Sequence, residues 1–274
     1  MDIRTILRFD GTLPDPGGTP GFKGGKSRAR ADLAKIGAEM AELQEKLFAN
    51  GSVGGTKKLL LVLQGMDASG KDGTVKHVVG QVNPAGVRIT SFKRPTKDEL
   101  SHDFLWRITN ALPQPGQLGV FNRSQYEDVL VVRVHDTVPR ATWGRRYSRI
   151  NAFERRVVAA GCPVLKVFLH LSKDEQKARL LERLDEPTKH WKVGTADIPE
   201  RHRWDDYQAA YLDALTKCNT DVAPWYVIPA DRKWYRDWAV SHLMLQTLRE
   251  MELGWPTPAG INLKAMKKEL LSEV

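Results

Sequence analysis

The sequence predicts a doubly wound α/β fold in which five parallel strands are sandwiched between helices. Three observations predict it. From residue 57 onward, short apolar runs alternate with longer amphipathic segments, the pattern of a parallel sheet covered on both faces. Capping-box patterns open three of the amphipathic segments. A glycine-bracketed loop ending in lysine stands between the first strand and the helix after it.

Each element follows in order. Residues 10–27 are rich in Gly, Pro, Lys and Ser, which disfavours packing and predicts an extended arm. Leu33, Ile36, Met40, Leu43 and Leu47 recur at helical spacing up to Asn50 and Gly51, so an N-terminal helix completes residues 1–55. The main domain is expected over 56–250, with strands over 58–64, 87–92, 118–121, 164–169 and 225–228. The capping boxes pair Thr96 with Glu99, Ser124 with Glu127, and Ser172 with Glu175. Residues 185–203 carry prolines, a glycine and several bases between two helical stretches, which predicts a helical hairpin standing off the sheet as a lid. Residues 251–274 read as a C-terminal tail.

Composition narrows the function classes. The chain of 274 residues is 41% hydrophobic and 27% charged, ordinary for a globular protein. Its longest aliphatic run, Leu59 to Leu63, is far too short to span a bilayer, and the first residues lack the apolar core of a secretory signal. A cytoplasmic protein without membrane association is expected. Cys162 and Cys218 have no Cys or His at ligand spacing, so both read as reduced and structural. The formal charge of +9 is uneven, since residues 88–156 hold 13 Lys or Arg against seven Asp or Glu. That excess suits a polyanionic partner; a merely solvated basic surface is the alternative.

The segment Gly65, Met66, Asp67, Ala68, Ser69, Gly70, Lys71, Asp72, Gly73, Thr74 carries the chemistry. Its backbone amides can wrap a phosphate, the helix N-terminus adds partial positive charge, and Lys71 adds a full one. Asp72 stands where a magnesium-binding hydroxyl is usual, and Asp67, inside the loop, is the candidate metal ligand in its place. At the end of the third strand, Asn122 and Arg123 should face this loop, because ligands of open parallel sheets sit outside the carboxyl ends of the strands. Arg123 is the candidate for stabilising charge on a transferring phosphoryl group, with a structural salt bridge as the alternative. Capping already accounts for Glu127. His77, His102 and His135 read as surface or packing residues, and Trp204, Tyr207 and Tyr211 as a packing face.

At these residues the chain resembles the family-2 polyphosphate kinases, a branch of the P-loop kinases akin to thymidylate kinase. The resemblance rests on the loop at 65–73, on 92–96 (FKRPT) and 121–130 (FNRSQYEDVL), and on 182–192, 204–207 and 223–234. It implies a P-loop kinase with a lid, in which Asp67, Lys71 and Arg123 are functional. Asn122, with Glu127 nearby, is similar to the third class of that family. This implies transfer from inorganic polyphosphate to both AMP and ADP, giving ADP and ATP. Magnesium is the implied cofactor, with manganese able to substitute, and a homo-oligomer, dimer or tetramer, is expected. Lys93, Arg94, Lys97, Arg133, Lys189 and Lys192 are the candidate path for the donor chain, and Asn122 and Glu127 the candidates for acceptor selection. Two other readings stay open: an ATP-dependent nucleoside or nucleotide kinase of the same fold, and a noncatalytic nucleic-acid binder. Lys71 and the lack of aromatics among the basic residues speak against the last.

Overall fold

The computed structural model describes residues 2–273. Five strands form one parallel sheet: β1 (Leu59–Gln64), β2 (Val87–Ser91), β3 (Leu118–Asn122), β4 (Val164–His170) and β5 (Trp225–Pro229). Their order across the sheet is β2-β3-β1-β4-β5. The helices are α1 (Ile3–Leu7), α2 (Lys26–Ser52), α3 (Lys71–His77), α4 (Lys97–Ser101), α5 (Trp106–Asn110), α6 (Glu127–Val134), α7 (Arg140–Ala159), α8 (Lys173–Asp185), α9 (Asp197–His202), α10 (Trp204–Lys217), α11 (Lys233–Glu250) and α12 (Leu263–Ser272). The expected strands all form, each within one residue of its expected ends.

The central strand β1 is buried along its whole length, which is why it reads as an unbroken aliphatic run. Its alternate side chains enter two cores. Leu59, Leu61 and Leu63 pack with α2, α3 and α11 on one face, while Leu60 and Val62 pack with α6, α7 and α10 on the other. Each such side chain contributes about 1.5–3 kcal/mol on burial. Burial also pushes the thiols of Cys162 and Cys218 up to about 12, and both remain free, as expected of structural cysteines.

The N-terminal segment is more ordered than an arm. Phe9 N–H donates to the Trp225 carbonyl, and Arg8 bridges antiparallel to Tyr226, so this segment covers the free edge of β5. Phe22 is buried against Trp234 and Trp238, with centroids 5.6 and 4.7 Å away. With only five residues, α1 is too short to show a helical period in the sequence. Residues 185–203 also depart from expectation. Instead of a helical hairpin they form a 3-10 turn at Pro187–Lys192 and the short α9, with no buried residue between 184 and 203. Pro187 and Gly194 break the helical run on either side of the turn. The tail contains α12, none of whose residues is buried.

Of the three capping boxes, only that of Thr96 and Glu99 closes on both sides. Ser172 caps α8, but the Glu175 carboxylate turns to Arg179 instead. The Ser124 hydroxyl does not reach the Glu127 N–H, and from the backbone it accepts only a long bond, 3.4 Å, from the Tyr126 N–H. It is buried and accepts from the Gln64 amide at 3.0 Å, so α6 starts only at Glu127. Glu127 is thereby free of the capping role assigned to it from sequence.

Candidate active site

Parallel register aligns Leu63 of β1 with Asn122 of β3, so the 65–74 loop and the turn after β3 emerge side by side at the carboxyl edge of the sheet. The loop doubles back sharply. Gly70 lies at φ +102°, and a Cβ there would collide with Nη1 of Arg236, so glycine is required on both counts. Ala68 at φ +61° and Arg123 at φ +65° sit in the left-handed region without being glycine. Such residues cost on the order of 1–3 kcal/mol each and persist where their surroundings over-determine them.

Lys71 is buried and folds back over its own loop. Its Nζ donates to the carbonyls of Gly65 and Met66 at 2.7 and 3.1 Å while still lining the cleft. Burial, with the neighbouring Arg123 adding to it, pulls its pKa down to about 8. The hydroxyls of Ser69 and Thr74 are buried without a partner, while their backbone N–H groups are already taken by the Met66 and Gly70 carbonyls at 3.1 and 2.9 Å.

Asp67 reaches into the cleft and pairs with Arg183 of α8 at 2.9 Å. Burial raises its pKa, but Arg183, with Lys71 beyond it, outweighs burial and holds the carboxyl below its ordinary range. Asn122 donates from Nδ2 to the Asp72 carboxylate at 2.7 Å, so Asp72, rather than Glu127, positions it. Glu127 lies 3.8 Å from Arg123, whose pKa it raises further.

Three residues of α8 that sequence reading passed over hold the loop from outside. Gln176 donates to the Asp67 carbonyl at 3.0 Å. Arg179, buried, donates to the carbonyls of Ala68, Ser69, Ala230 and Asp231, tying the loop to the end of β5. Arg183 holds Asp67. Positions 176, 179 and 183 fall on one helical face, so a polar stripe where an apolar one belongs was the available signal.

Two hollows meet at this point. A cleft of about 480 Å³ is lined by nine Lys or Arg and only three carboxylates; Lys71, Lys93, Arg94, Arg183, Lys189 and Lys192 are among the cations. A smaller one of about 280 Å³ is lined by Met66, Val131, Tyr207 and Tyr211 together with Glu127 and Glu200. Asp67 and Arg123 line both. Two members of the expected donor path lie elsewhere. Lys97 is exposed in the first turn of α4, and Arg133 points away to pair with Asp213 at 2.6 Å and stack over Trp143. A count of charges carries no direction, so the sequence does not set these two apart from the cations of the cleft. Trp204, Tyr207 and Tyr211 are buried as a packing face is, but Tyr207 and Tyr211 also form part of the wall of the smaller hollow. His77 is exposed, His102 stacks on Trp106, and His135 pairs with Glu200 at 2.9 Å.

A parallel sheet with a glycine-bracketed loop and lysine at the head of its central strand, facing a cation-lined cleft, defines a phosphotransferase of the α/β kinase class. The chain belongs to the polyphosphate kinase 2 family, whose profile matches residues 23–254. It is 49% identical over 251 residues to an AMP/ADP-polyphosphate phosphotransferase of Meiothermus ruber, covering 92% of each chain. It is 43% identical to an ADP-polyphosphate phosphotransferase of Rhodopseudomonas palustris, covering 85% of this chain and 82% of that one. The crystal structure of a polyphosphate kinase 2 from Arthrobacter aurescens superposes with a TM-score of 0.95 at 48% identity, covering 99% of this chain and 97% of the other.

Proposed function

We propose that this enzyme transfers the terminal phosphoryl group of inorganic polyphosphate to AMP and ADP, giving ADP and ATP. The observation that carries the reading is the shared wall: Asp67 and Arg123 line both the cationic cleft and the smaller aromatic one. A polyanionic donor belongs in the first, and a nucleotide, whose base needs apolar and aromatic contact, in the second. Their reacting ends then meet beside Arg123.

The acceptor oxygen is a nucleotide phosphate already ionised near neutral pH, so no strong general base is needed. Catalysis rests on holding donor and acceptor in line and neutralising charge. Lys71, clamped over the loop carbonyls, presents its ammonium to the donor phosphate. Arg123 supplies a guanidinium to the equatorial oxygens of the group in flight.

Asp67, with Asp72 across the loop, fits magnesium held mainly by phosphate oxygens and water. No cluster of three or more Asp, Glu, His or Cys able to hold a metal occurs among the described residues, and magnesium of that kind needs only one or two carboxylates. When bound, the ion neutralises phosphate charge.

The test is to incubate the protein with AMP, magnesium and polyphosphate and to follow nucleotides by chromatography. Formation of ADP and then ATP is expected. Neither product, or equal transfer from ATP with polyphosphate omitted, overturns the reading.

A further inference from the structure

Behind the turn that carries Arg123 lies an ion pair with no access to solvent. Lys166 of β4 is 0% exposed and Glu154 of α7 is 1% exposed, with 2.7 Å between Nζ and Oε2. The other carboxylate oxygen accepts from the Gln125 amide at 3.0 Å and from the Tyr126 hydroxyl at 2.8 Å. Lys166 spends its remaining donors on that same hydroxyl, at 2.9 Å, and on the Cys218 carbonyl, at 2.6 Å. Burial, with Glu154 adding to it, pushes the Tyr126 hydroxyl well above its ordinary range, so it stays a donor.

We infer that Glu154 and Lys166 are positioning residues for phosphoryl transfer, fixing through Gln125 and Tyr126 the turn that aims Arg123 into the cleft. The inference rests on the function proposed above.

Stability alone does not account for such a pair. Removing two charges from water costs about as much as their attraction returns, and well-packed apolar replacements are often neutral or stabilising. What the pair does supply is direction. Residues 124–126 are gripped from two sides: the Gln64 amide holds the Ser124 hydroxyl, and the Glu154 carboxylate holds the next two side chains. Arg123 is left one conformation, at φ +65°, with its N–H on the Leu63 carbonyl at 3.0 Å. A left-handed arginine relaxes once the grip on one side is released. Its guanidinium then moves away from a group it must meet only in the transition state. Binding of either substrate, spread over many other contacts, changes little.

The decisive variant is Glu154→Met with Lys166→Met, which removes both charges while keeping the volume filled. Its melting temperature should stay near that of the parent, kcat should fall at least tenfold, and the KM values for ADP and polyphosphate should stay within about twofold. Glu154→Gln with Lys166→Met keeps an acceptor for Gln125 and Tyr126 and should restore kcat to within about threefold of the parent. Amide exchange at residues 123–126 should quicken in the first variant and not in the second. If the first fails to fold, Gln125→Met with Tyr126→Phe cuts the two links while leaving the ion pair, and the same loss of kcat is expected. A folded variant without either link that keeps the parental kcat overturns the inference, as does equal loss in the conservative pair. A parent that shows no transfer from polyphosphate overturns the proposed function instead, and unchanged amide exchange at 123–126 in the folded Met/Met variant then overturns the positioning role separately.

Discussion

The loop at 65–74 and the segment at 186–203 line the same cleft, yet they are built in opposite ways. In the loop, six residues are buried and the backbone is tied down by Gln176, Arg179 and Lys71. The facing segment buries nothing, leaves Trp191 78% exposed, and rests on side-chain contacts such as that of Lys189 with Glu182 at 2.6 Å. Segments with few buried contacts open at low free-energy cost. In the function proposed above, the chemistry falls on the stiff wall and the long donor meets the pliable one, which can follow a chain of varying position.

Substitutions can break this contrast. On the stiff wall Lys71→Ala should have the largest effect, lowering turnover more than tenfold with an unchanged circular dichroism spectrum. Retention of more than a tenth of the activity would mean that Lys71 contributes less than about 1.4 kcal/mol to the transition state. Lys71 is buried, with its charge already aimed at the cleft.

Next, Asp67→Asn should cost much more activity than Asp72→Asn, because Asp67 faces both hollows. Excess magnesium or manganese should partly rescue it. Equal losses without rescue would remove Asp67 as the metal-binding group.

Asn122→Asp sets a second carboxylate against Asp72, now 2.7 Å from the asparagine amide. The resulting negative charge should repel the AMP phosphate, which carries nearly two charges and must sit one phosphate deeper than the end of ADP. The ratio of kcat/KM for AMP to that for ADP should fall severalfold. A constant ratio would show that position 122 does not choose the acceptor.

On the pliable wall, Lys189→Ala with Lys192→Ala should raise the KM for polyphosphate about threefold more than that for ADP, and should flatten the steep salt dependence expected of polyanion binding. Parallel shifts would deny this segment a donor role.

The smallest effect concerns protons. Free Lys71, with its pKa near 8, is partly neutral at pH 8.5, and a bound polyanion favours its charged form. Donor binding at that pH should therefore take up protons, measured by calorimetry in buffers of different ionisation enthalpy. The uptake should vanish in Lys71→Met.

How much of this could be read from the sequence follows the same division. The strands were legible because a doubly buried parallel strand must be an aliphatic run, as Leu59 to Leu63 shows, and the loop because its glycines and lysine are local. Arg179 and Arg183 were not. Their partners lie 111 and 116 residues away, and the polar stripe on α8 signals a polar neighbour without saying which. Ser124 and Glu127 match a capping box in sequence, but Gln64, brought near only by strand pairing, takes the hydroxyl. Arg133 and Lys97 belong to the right charge excess and the wrong direction.

The segment that closes the edge of β5 has a consequence for how the chain is made. Phe9 pairs with Trp225, and Phe22 needs Trp234 and Trp238, so this segment, made about 200 residues before its partners, has no place to settle until β5 and α11 have followed. Closing so long a loop is slow compared with local helix formation. During synthesis the N-terminal segment waits, and the exposed edge of β5 is sealed only when the fold is otherwise complete.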